Sequence, residues 1–160
     1  MKVHQRERVK LLTVTDGDTI VVNWHGKRER VRLLLIDSPE MNYSLKDSSP
    51  DPYAFEAKIF LENELLLAET IELEFDSQQR DNHGRLLAHL FADGKNVNLA
   101  LLDEGLARYA FEFAEYKYSA DYKEAERKAK EKKRNIWSRE NYVTQRGFYN
   151  PQPKRIMRLR

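Results

Sequence analysis

Three aspartates lie at the ends of short apolar segments, where turns bring side chains together. Asp16 and Asp18 precede a β-branched run, and Asp37 follows the run VRLLLI. If the two runs pair as a hairpin, the start of one lies beside the end of the other, so Asp18 and Asp37 face each other. Two close carboxylates repel each other, which a divalent cation relieves, and Ca²⁺ takes about six to eight oxygen ligands in irregular geometry. The alternative is turn chemistry, because an aspartate at a strand end often accepts a bond from a nearby backbone amide.

Two arginines and a glutamate could complete a set that hydrolyses phosphodiesters. Arg32 is a charged residue inside the apolar run, and Arg85 follows a His-Gly turn. Guanidinium groups and metals stabilise the extra negative charge that develops on phosphoryl oxygens in the transition state. Glu40 follows Asp37 closely and is placed to orient or deprotonate a water molecule. The alternatives are plainer, since each arginine could pair with a surface carboxylate and Glu40 could simply be solvated.

Other chemistries find little support in the residues. The chain has no cysteine, which excludes disulfides and thiolate metal sites. His83 and His89 are not at metal-ligand spacing, and His89 alternates within a strand pattern, which predicts half-buried packing. We recognise neither a Ser-His-Asp arrangement nor a glycine-rich phosphate loop.

Hydropathy patterns predict five short strands, with one helix inserted after the third and two helices after the fifth. The helices are predicted over Tyr53–Leu67, from Val97 to Gly105, and from Ser119, as a capping residue, to about Arg134. In the fourth strand Glu72 and Glu74 are predicted to face outward. The predicted strands are Lys10–Val14, Thr19–Trp24, Arg28–Ile36, Thr70–Phe75 and Leu86–Phe91.

A meander of three plus two strands favours a small barrel with helices packed outside, an α+β fold that is mainly β. The 160 residues fit one domain, and no apolar run reaches the roughly 18 residues of a transmembrane helix. Residues 1–140 are predicted to form the folded domain. Residues 141–160 lack apolar periodicity and contain two prolines, which predicts an extended or disordered basic tail.

The net charge of +2 hides an asymmetry. Residues 123–160 contain 13 Lys and Arg against 4 Asp and Glu, so the rest of the chain is net acidic. The basic end suits phosphate contact, whereas the acidic body would repel nucleic acid unless a cation neutralised its carboxylates.

Five segments, in order and at close to the same spacing, resemble staphylococcal nuclease. The resemblance runs from about Leu11 to Ser138, and several segments in register are more specific than one short motif. The segments are VTDGDTI (Val14–Ile20), RLLLIDSPE (Arg32–Glu40), ELEFDSQQRDNHGR (Glu72–Arg85), FADGKNVNLALLDEGLA (Phe91–Ala107) and NIWS (Asn135–Ser138).

The resemblance implies a five-stranded OB-fold barrel with three helices and a nuclease that acts on DNA and RNA. It implies a Ca²⁺ ion held by the carboxylates of Asp18 and Asp37 and the backbone carbonyl of Ser38, with water completing the shell. Arg32 and Arg85 would bind the phosphate and stabilise the transition state.

The same resemblance assigns the remaining roles. Glu40 would act on the attacking water, as a general base or a positioning group, and Asp16 would support the metal ligands from the same turn. Cleavage would leave a 3′-phosphate and a 5′-hydroxyl.

The chain departs from the family pattern at several positions. Ser38 replaces a threonine, at a position where the ligand is a backbone oxygen. His83, Phe111 and Phe113 match binding-site tyrosines of the family, so their rings could still stack on bases although the phenolic hydroxyls are lost. The loop over residues 42–52 carries fewer lysines, which predicts weaker substrate binding at high salt.

Two other interpretations remain open at this stage. The chain could be a catalytically inactive OB-fold module that binds nucleic acid, or the basic segment Lys154–Arg160 could be its main functional element. The presence of all five expected site residues favours the active nuclease. We expect a monomer without membrane association. The first ten residues do not resemble a signal peptide, so we expect a cytoplasmic protein or a mature form, and the calcium supply favours an extracellular or envelope location.

Overall fold

A computed structural model describes residues 5–44, 46 and 49–149, and its centre is a curved β-sheet. Three helices accompany the sheet: α1 (Ala54–Leu66), α2 (Val97–Asp103) and α3 (Ser119–Glu131), and a 3₁₀ turn follows at Asn135–Ser138. The strands, in chain order, are β1 (Glu7–Arg8), β2 (Lys10–Asp16), β3 (Thr19–Trp24), β4 (Lys27–Leu33), β5 (Ile36–Asp37), β6 (Ile71–Glu74), β7 (Leu86–Ala92), β8 (Lys95–Asn96), β9 (Arg108–Tyr109), β10 (Val143–Thr144) and β11 (Gly147–Phe148).

The strands of the main sheet follow the order β1-β6-β7-β4-β3-β2, and β8 pairs with β7. The β4–β7 pair is parallel, and the other pairs are antiparallel. The hydrogen-bonded path is open, but only Val9 separates β1 from β2 along the chain, so one extended segment forms both of its ends. The five predicted strands and the three predicted helices are confirmed as an OB-like α+β fold that is mainly β.

The sheet curls around an apolar core that the alternation of its strands supplies. Ile20, Val22, Val31 and Leu33 have almost no exposed surface, and each such side chain contributes about 1.5–3 kcal/mol by burial. Helix α1 buries residues spaced by three or four positions, which places one face on the core. The buried side chains of the helices are Ala54, Ala57, Leu61 and Leu65 in α1, Val97, Leu101 and Leu102 in α2, and Tyr122, Ala125 and Ala129 in α3.

The third predicted strand ends earlier than its sequence suggests. Strand β4 stops at Leu33 because the chain turns at Leu35, a buried residue with the left-handed φ of 64°. A branched apolar residue rarely adopts this conformation, so the run of leucines gives no sign of a turn. The turn sends Ile36 and Asp37 away from the main sheet to pair with β9.

Two local predictions are wrong. Glu74 was predicted to face outward but is buried, where Arg6 and the hydroxyl of Tyr118 bond its Oε1. Ser119 was predicted to cap α3 but is its first helical residue, and its hydroxyl donates to the carbonyl of Tyr116.

The predicted tail is partly folded. β10 and β11 form a hairpin, and the buried ring of Tyr142 packs against Phe148 at 5.2 Å between centroids. The Tyr142 hydroxyl donates to the carbonyl of Pro52, which fastens the hairpin beside the start of α1. Residues 141–149 therefore differ from the expected extended tail, and the rest of that prediction lies outside the described residues. No helix in the described part of the chain is long and apolar enough to cross a membrane.

His89 is fully buried, not half-buried as its pattern suggested, and makes stability depend on pH. Its Nδ1 lies 2.8 Å from the Tyr122 hydroxyl and its Nε2 lies 2.9 Å from Asp76 Oδ2. Burial lowers the pKa of His89 despite the attraction of Asp76. Below about pH 6.5 the histidine of the unfolded chain is therefore protonated while His89 of the folded chain stays neutral. Its contribution to the free energy of unfolding then falls by up to about 1.4 kcal/mol per pH unit.

We expect the contribution of His89 to the free energy of unfolding to fall as the pH drops from about 7 to 5, so the wild type should lose stability relative to His89→Gln over that range. Urea unfolding of both proteins across that range measures the difference. Parallel pH dependences for the two proteins would contradict the prediction.

Candidate active site

The turn between β2 and β3 fixes the carboxylate of Asp18 inside the protein. Asp18 is 3% exposed, and its Oδ2 accepts a hydrogen bond from the backbone amide of Ser38 at 2.9 Å. Its Oδ1 accepts from the Thr19 hydroxyl at 2.9 Å, and Asp16 Oδ1 accepts from the Asp18 amide. These bonds tie the turn to the segment that follows β5.

Arg32 connects the two aspartates that the sequence pattern placed near each other. Its Nη2 lies 3.3 Å from Asp18 Oδ2 and 3.7 Å from Asp37 Oδ1. Its Nη1 donates to the carbonyls of Leu33 and Ile36, which the tight turn after β4 presents together. The structure therefore brings Asp18, Arg32 and Asp37 into one cluster.

A fourth residue of this cluster, Arg108, was missed by sequence reasoning. Its Nε donates to Asp37 Oδ2 at 2.8 Å, because β5 and β9 pair Asp37 with Arg108. The Arg108 guanidinium is also 6.0 Å from the ring of Phe148 in the C-terminal hairpin. Strands of two residues give no recognisable periodicity, so no signal in the sequence identifies this pair.

Negative charge accumulates around Asp18. Burial and the neighbouring charge of Asp18 raise the pKa of Asp16 to about 8. Burial and Asp18 also raise the pKa of Asp37, and Arg108 partly offsets this rise. Partial loss of solvent around an otherwise exposed side chain, together with the charges of Asp18 and Asp37, raises the pKa of Glu40. Burial opposes ionisation of Asp18, but Arg32 and its hydrogen bonds outweigh burial and hold its pKa below the ordinary value.

The donor set of this cluster fits a hard divalent cation. Carboxylate oxygens are the ligands such ions prefer, and a bound cation would favour the charged carboxylates that burial and the neighbouring charge of Asp18 oppose. The hydroxyl of Ser38 is buried beside the cluster and has no hydrogen-bond partner among the described residues. No three acidic or histidine side chains in the described ranges are arranged to hold a metal ion together, so backbone oxygen and water would have to fill the remaining positions around two carboxylates.

A groove of about 420 Å³ places Arg85 with Arg32 along one surface. Arg85 Nε donates to Asp81 Oδ2 at 2.8 Å, and Asp81 also accepts from the amides of His83 and Arg85. His83 lines the groove with the two arginines. Glu40 is exposed beside this cluster. Its charge acts on Asp16, and the charges of Asp18 and Asp37 act on Glu40.

Two exposed phenyl rings border the same groove. Phe111 and Phe113 are 48% and 83% exposed, and their ring centroids are 6.2 Å apart. The guanidinium groups of Arg32 and Arg108 lie 5.6 and 5.7 Å from the Phe111 ring centroid. Exposed flat rings beside cationic groups can hold stacked bases next to a bound phosphate.

Gly17 separates the two aspartates of the turn and has no space for a side chain. A Cβ atom there would lie 2.6 Å from the Cβ of Ala57 on α1 and 2.7 Å from the Oγ of Ser38.

Gly17→Ala is therefore expected to lower the free energy of unfolding by about 1–3 kcal/mol, as overpacking usually does. Urea unfolding measures this effect. Gly94→Ala is the control, since Gly94 has open space around it and bears only the strain of its positive φ. Wild-type stability in Gly17→Ala would refute the close packing.

Comparisons with known proteins identify the family of the chain. The family model described as staphylococcal nuclease homologue matches residues 30–139. The chain is 42% identical over 152 residues to endonuclease YncB of Bacillus subtilis (strain 168), covering 91% of this chain and 71% of the relative. It is 44% identical over 142 residues to the SPbeta prophage-derived endonuclease YokF of the same organism, covering 88% of this chain and 47% of the relative.

A third relative comes from another genus. The chain is 38% identical over 130 residues to the thermonuclease of Staphylococcus hyicus, covering 81% of this chain and 75% of the relative. The matched family region includes Arg32, Asp37 and Arg85. The chain thus belongs to the staphylococcal nuclease family.

Proposed function

We propose that the protein is a Ca²⁺-dependent nuclease that hydrolyses phosphodiester bonds of DNA and RNA and leaves 3′-phosphate and 5′-hydroxyl ends. The cluster of Asp18, Arg32 and Asp37 carries this proposal, because its Arg32 also lines the groove that holds Arg85. The endonuclease and thermonuclease names of its relatives support it.

The carboxylates of Asp18 and Asp37 and the backbone carbonyl of Ser38 would hold the Ca²⁺ ion, with water completing its shell. The bound ion supplies positive charge that polarises the phosphate and offsets the excess of carboxylates. Asp16 keeps the turn in place through its bond to the Asp18 amide.

The arginines bind the phosphate and stabilise its developing charge. Arg32 and Arg85 present guanidinium groups, whose planar forks match phosphoryl oxygens. Arg32 is held by two backbone carbonyls, so its orientation is set before substrate binds. Such fixed donors lower the barrier because they need no reorganisation when the charge appears.

Glu40 takes the role of the group that acts on water. Its raised pKa makes its carboxylate a stronger base than an ordinary glutamate at neutral pH. Water attacks phosphorus as it gives a proton to Glu40, the bond to the 5′ oxygen breaks, and that oxygen takes a proton from solvent to become the 5′-hydroxyl. His83, Phe111 and Phe113 would stack on the bases at either side of that bond.

The ends of the products test this proposal. A single-stranded 12-mer oligothymidylate is incubated with the protein and Ca²⁺, with and without a chelator, and the fragments are weighed by mass spectrometry. We expect 3′-phosphate and 5′-hydroxyl fragments that form only with Ca²⁺. Chelator-resistant cleavage or 5′-phosphate ends would overturn the mechanism. Binding of the oligonucleotide without cleavage would leave an inactive nucleic-acid-binding module.

A further inference from the structure

Strand β4 carries a row of arginines that begins in the active site. Side chains alternate along a strand, so Arg28, Arg30 and Arg32 share one face, while Val31 and Leu33 lie on the other and are buried in the core. Successive arginines of the row are separated by about 6.6 Å along the strand. The row therefore runs about 13 Å from Arg32 toward the turn at the end of β3.

The strand next to the row contributes no opposing charge. β3 pairs Thr19 with Arg32, Val21 with Arg30 and Asn23 with Arg28, so none of these neighbours is acidic. One strand further, the exposed Lys10 pairs with Asn23 and adds another positive charge at the far end.

The two outer arginines are available for a ligand. Arg28 and Arg30 are exposed, and neither has an ion pair with a carboxylate in the part of the chain that the structure describes. Glu29, between them, lies on the opposite face and is occupied by Arg80 at 2.7 Å. Arg30 Nη2 lies 3.5 Å from the carbonyl of His83, which brings it to the edge of the groove.

We propose that Arg30 and Arg28 bind the successive phosphates next to the scissile one, so that a single-stranded substrate runs along β4. This inference rests on the proposed function, since Arg32 defines where the scissile phosphate lies. A row of like charges without partners is unfavourable alone and becomes favourable against a polyanion with a similar repeat. The contact is to the backbone, so it is independent of base sequence.

The row explains how a body with net acidic charge holds nucleic acid. Most of the excess positive charge of the chain lies in residues 123–160, and none of residues 123–149 lines the groove. β4 concentrates three arginines on one face within five residues, in continuity with the site. The length of substrate that is bound then extends beyond the cleaved bond by about two phosphates.

The double substitution Arg28→Gln/Arg30→Gln tests the row. Cleavage of the 12-mer oligothymidylate and of a thymidine dinucleotide, which has only the scissile phosphate, is measured from low to high salt. We expect KM for the 12-mer to rise about tenfold and its kcat to stay within twofold. KM for the dinucleotide should not change. Each lost contact to a single strand removes about 0.7 from the slope of log affinity against log salt, so the slope should fall by about 1.4.

Lys132→Gln/Lys133→Gln is the matched control. It removes the same charge from two exposed residues just after α3, an element that does not line the groove. Phosphate binding by the row would be refuted if this control lost as much of the salt slope as the arginine variant. It would also be refuted if the arginine variant raised KM equally for the 12-mer and the dinucleotide.

Binding of the fluorescent 12-mer, followed by anisotropy, separates this inference from the proposed function. If the wild type binds without cleaving, the nuclease proposal fails. A slope of log affinity against log salt that is lower in Arg28→Gln/Arg30→Gln than in the wild type would still support phosphate binding by the row. If the wild type cleaves and the double variant binds the 12-mer with an unchanged slope, only the row is refuted.

Discussion

Arg85→Gln is expected to lower kcat by about two to three orders of magnitude while leaving the fold intact. Arg85 shares the groove with Arg32, and both would contact the phosphoryl oxygens where charge develops. Glutamine can still donate a hydrogen bond but brings no charge and no bidentate fork. Because the side-chain partner of Arg85 is the partly exposed Asp81, four residues away, the substitution should cost less than about 1 kcal/mol of stability.

Single-turnover cleavage of the 12-mer with Ca²⁺ measures this effect, and circular dichroism melting checks the fold. Arg127→Gln is the matched control, because Arg127 also pairs with a carboxylate four residues away, that of Glu131, but lies on the exposed face of α3. Its kcat should be that of the wild type. If Arg85→Gln kept kcat within about fivefold of the wild type, the assignment of Arg85 to the transition state would be wrong.

Arg108→Met is expected to lower the free energy of unfolding by about 3 kcal/mol, the loss typical of breaking a buried ion pair. Both partners are largely buried, with side-chain exposures of 9% for Arg108 and 14% for Asp37. Without Arg108, the cation left within ion-pair distance of Asp37 in the described part of the chain is Arg32, at 3.7 Å, while Asp18 still repels Asp37. The loss should also loosen the C-terminal hairpin, since Arg108 packs beside Phe148.

Urea unfolding of wild type, Arg108→Met and Arg108→Lys separates charge from packing. Lysine keeps the positive charge but not the planar fork, so it should lose less stability than methionine. Added Ca²⁺ should stabilise Arg108→Met more than the wild type, because the uncompensated carboxylate charge is larger there. A methionine variant within about 1 kcal/mol of the wild type, with the same response to Ca²⁺, would contradict this role.

Arg108 also marks the limit of what the sequence can tell. Asp18 and Asp37 could be placed together from the hairpin alone, because the apolar runs of β3 and β4 pair across a short turn, which puts Thr19 opposite Arg32. Asp37 and Arg108 are 71 positions apart and meet in strands of two residues. Local periodicity cannot show such a contact, since it depends on how separate elements pack.

The turn at Leu35 escaped prediction for a different reason. Four consecutive apolar residues indicate a continuing strand, and a left-handed turn there would ordinarily need glycine or asparagine. Here the surrounding structure holds Leu35 in that conformation, with Arg32 bonding the carbonyls of Leu33 and Ile36. The same bonds orient Arg32, so a strained backbone and an ordered site occur together.

The most direct test of the central claim is the rate at which the wild type and Asp37→Asn cleave the single-stranded 12-mer with Ca²⁺. Asparagine keeps the size of Asp37 but removes the charge that would hold the cation. We predict rapid cleavage by the wild type and a loss of at least about a hundredfold in Asp37→Asn, with both proteins folded. A wild type that binds the 12-mer without cutting it, or an Asp37→Asn variant that cuts as fast as the wild type, would contradict the account.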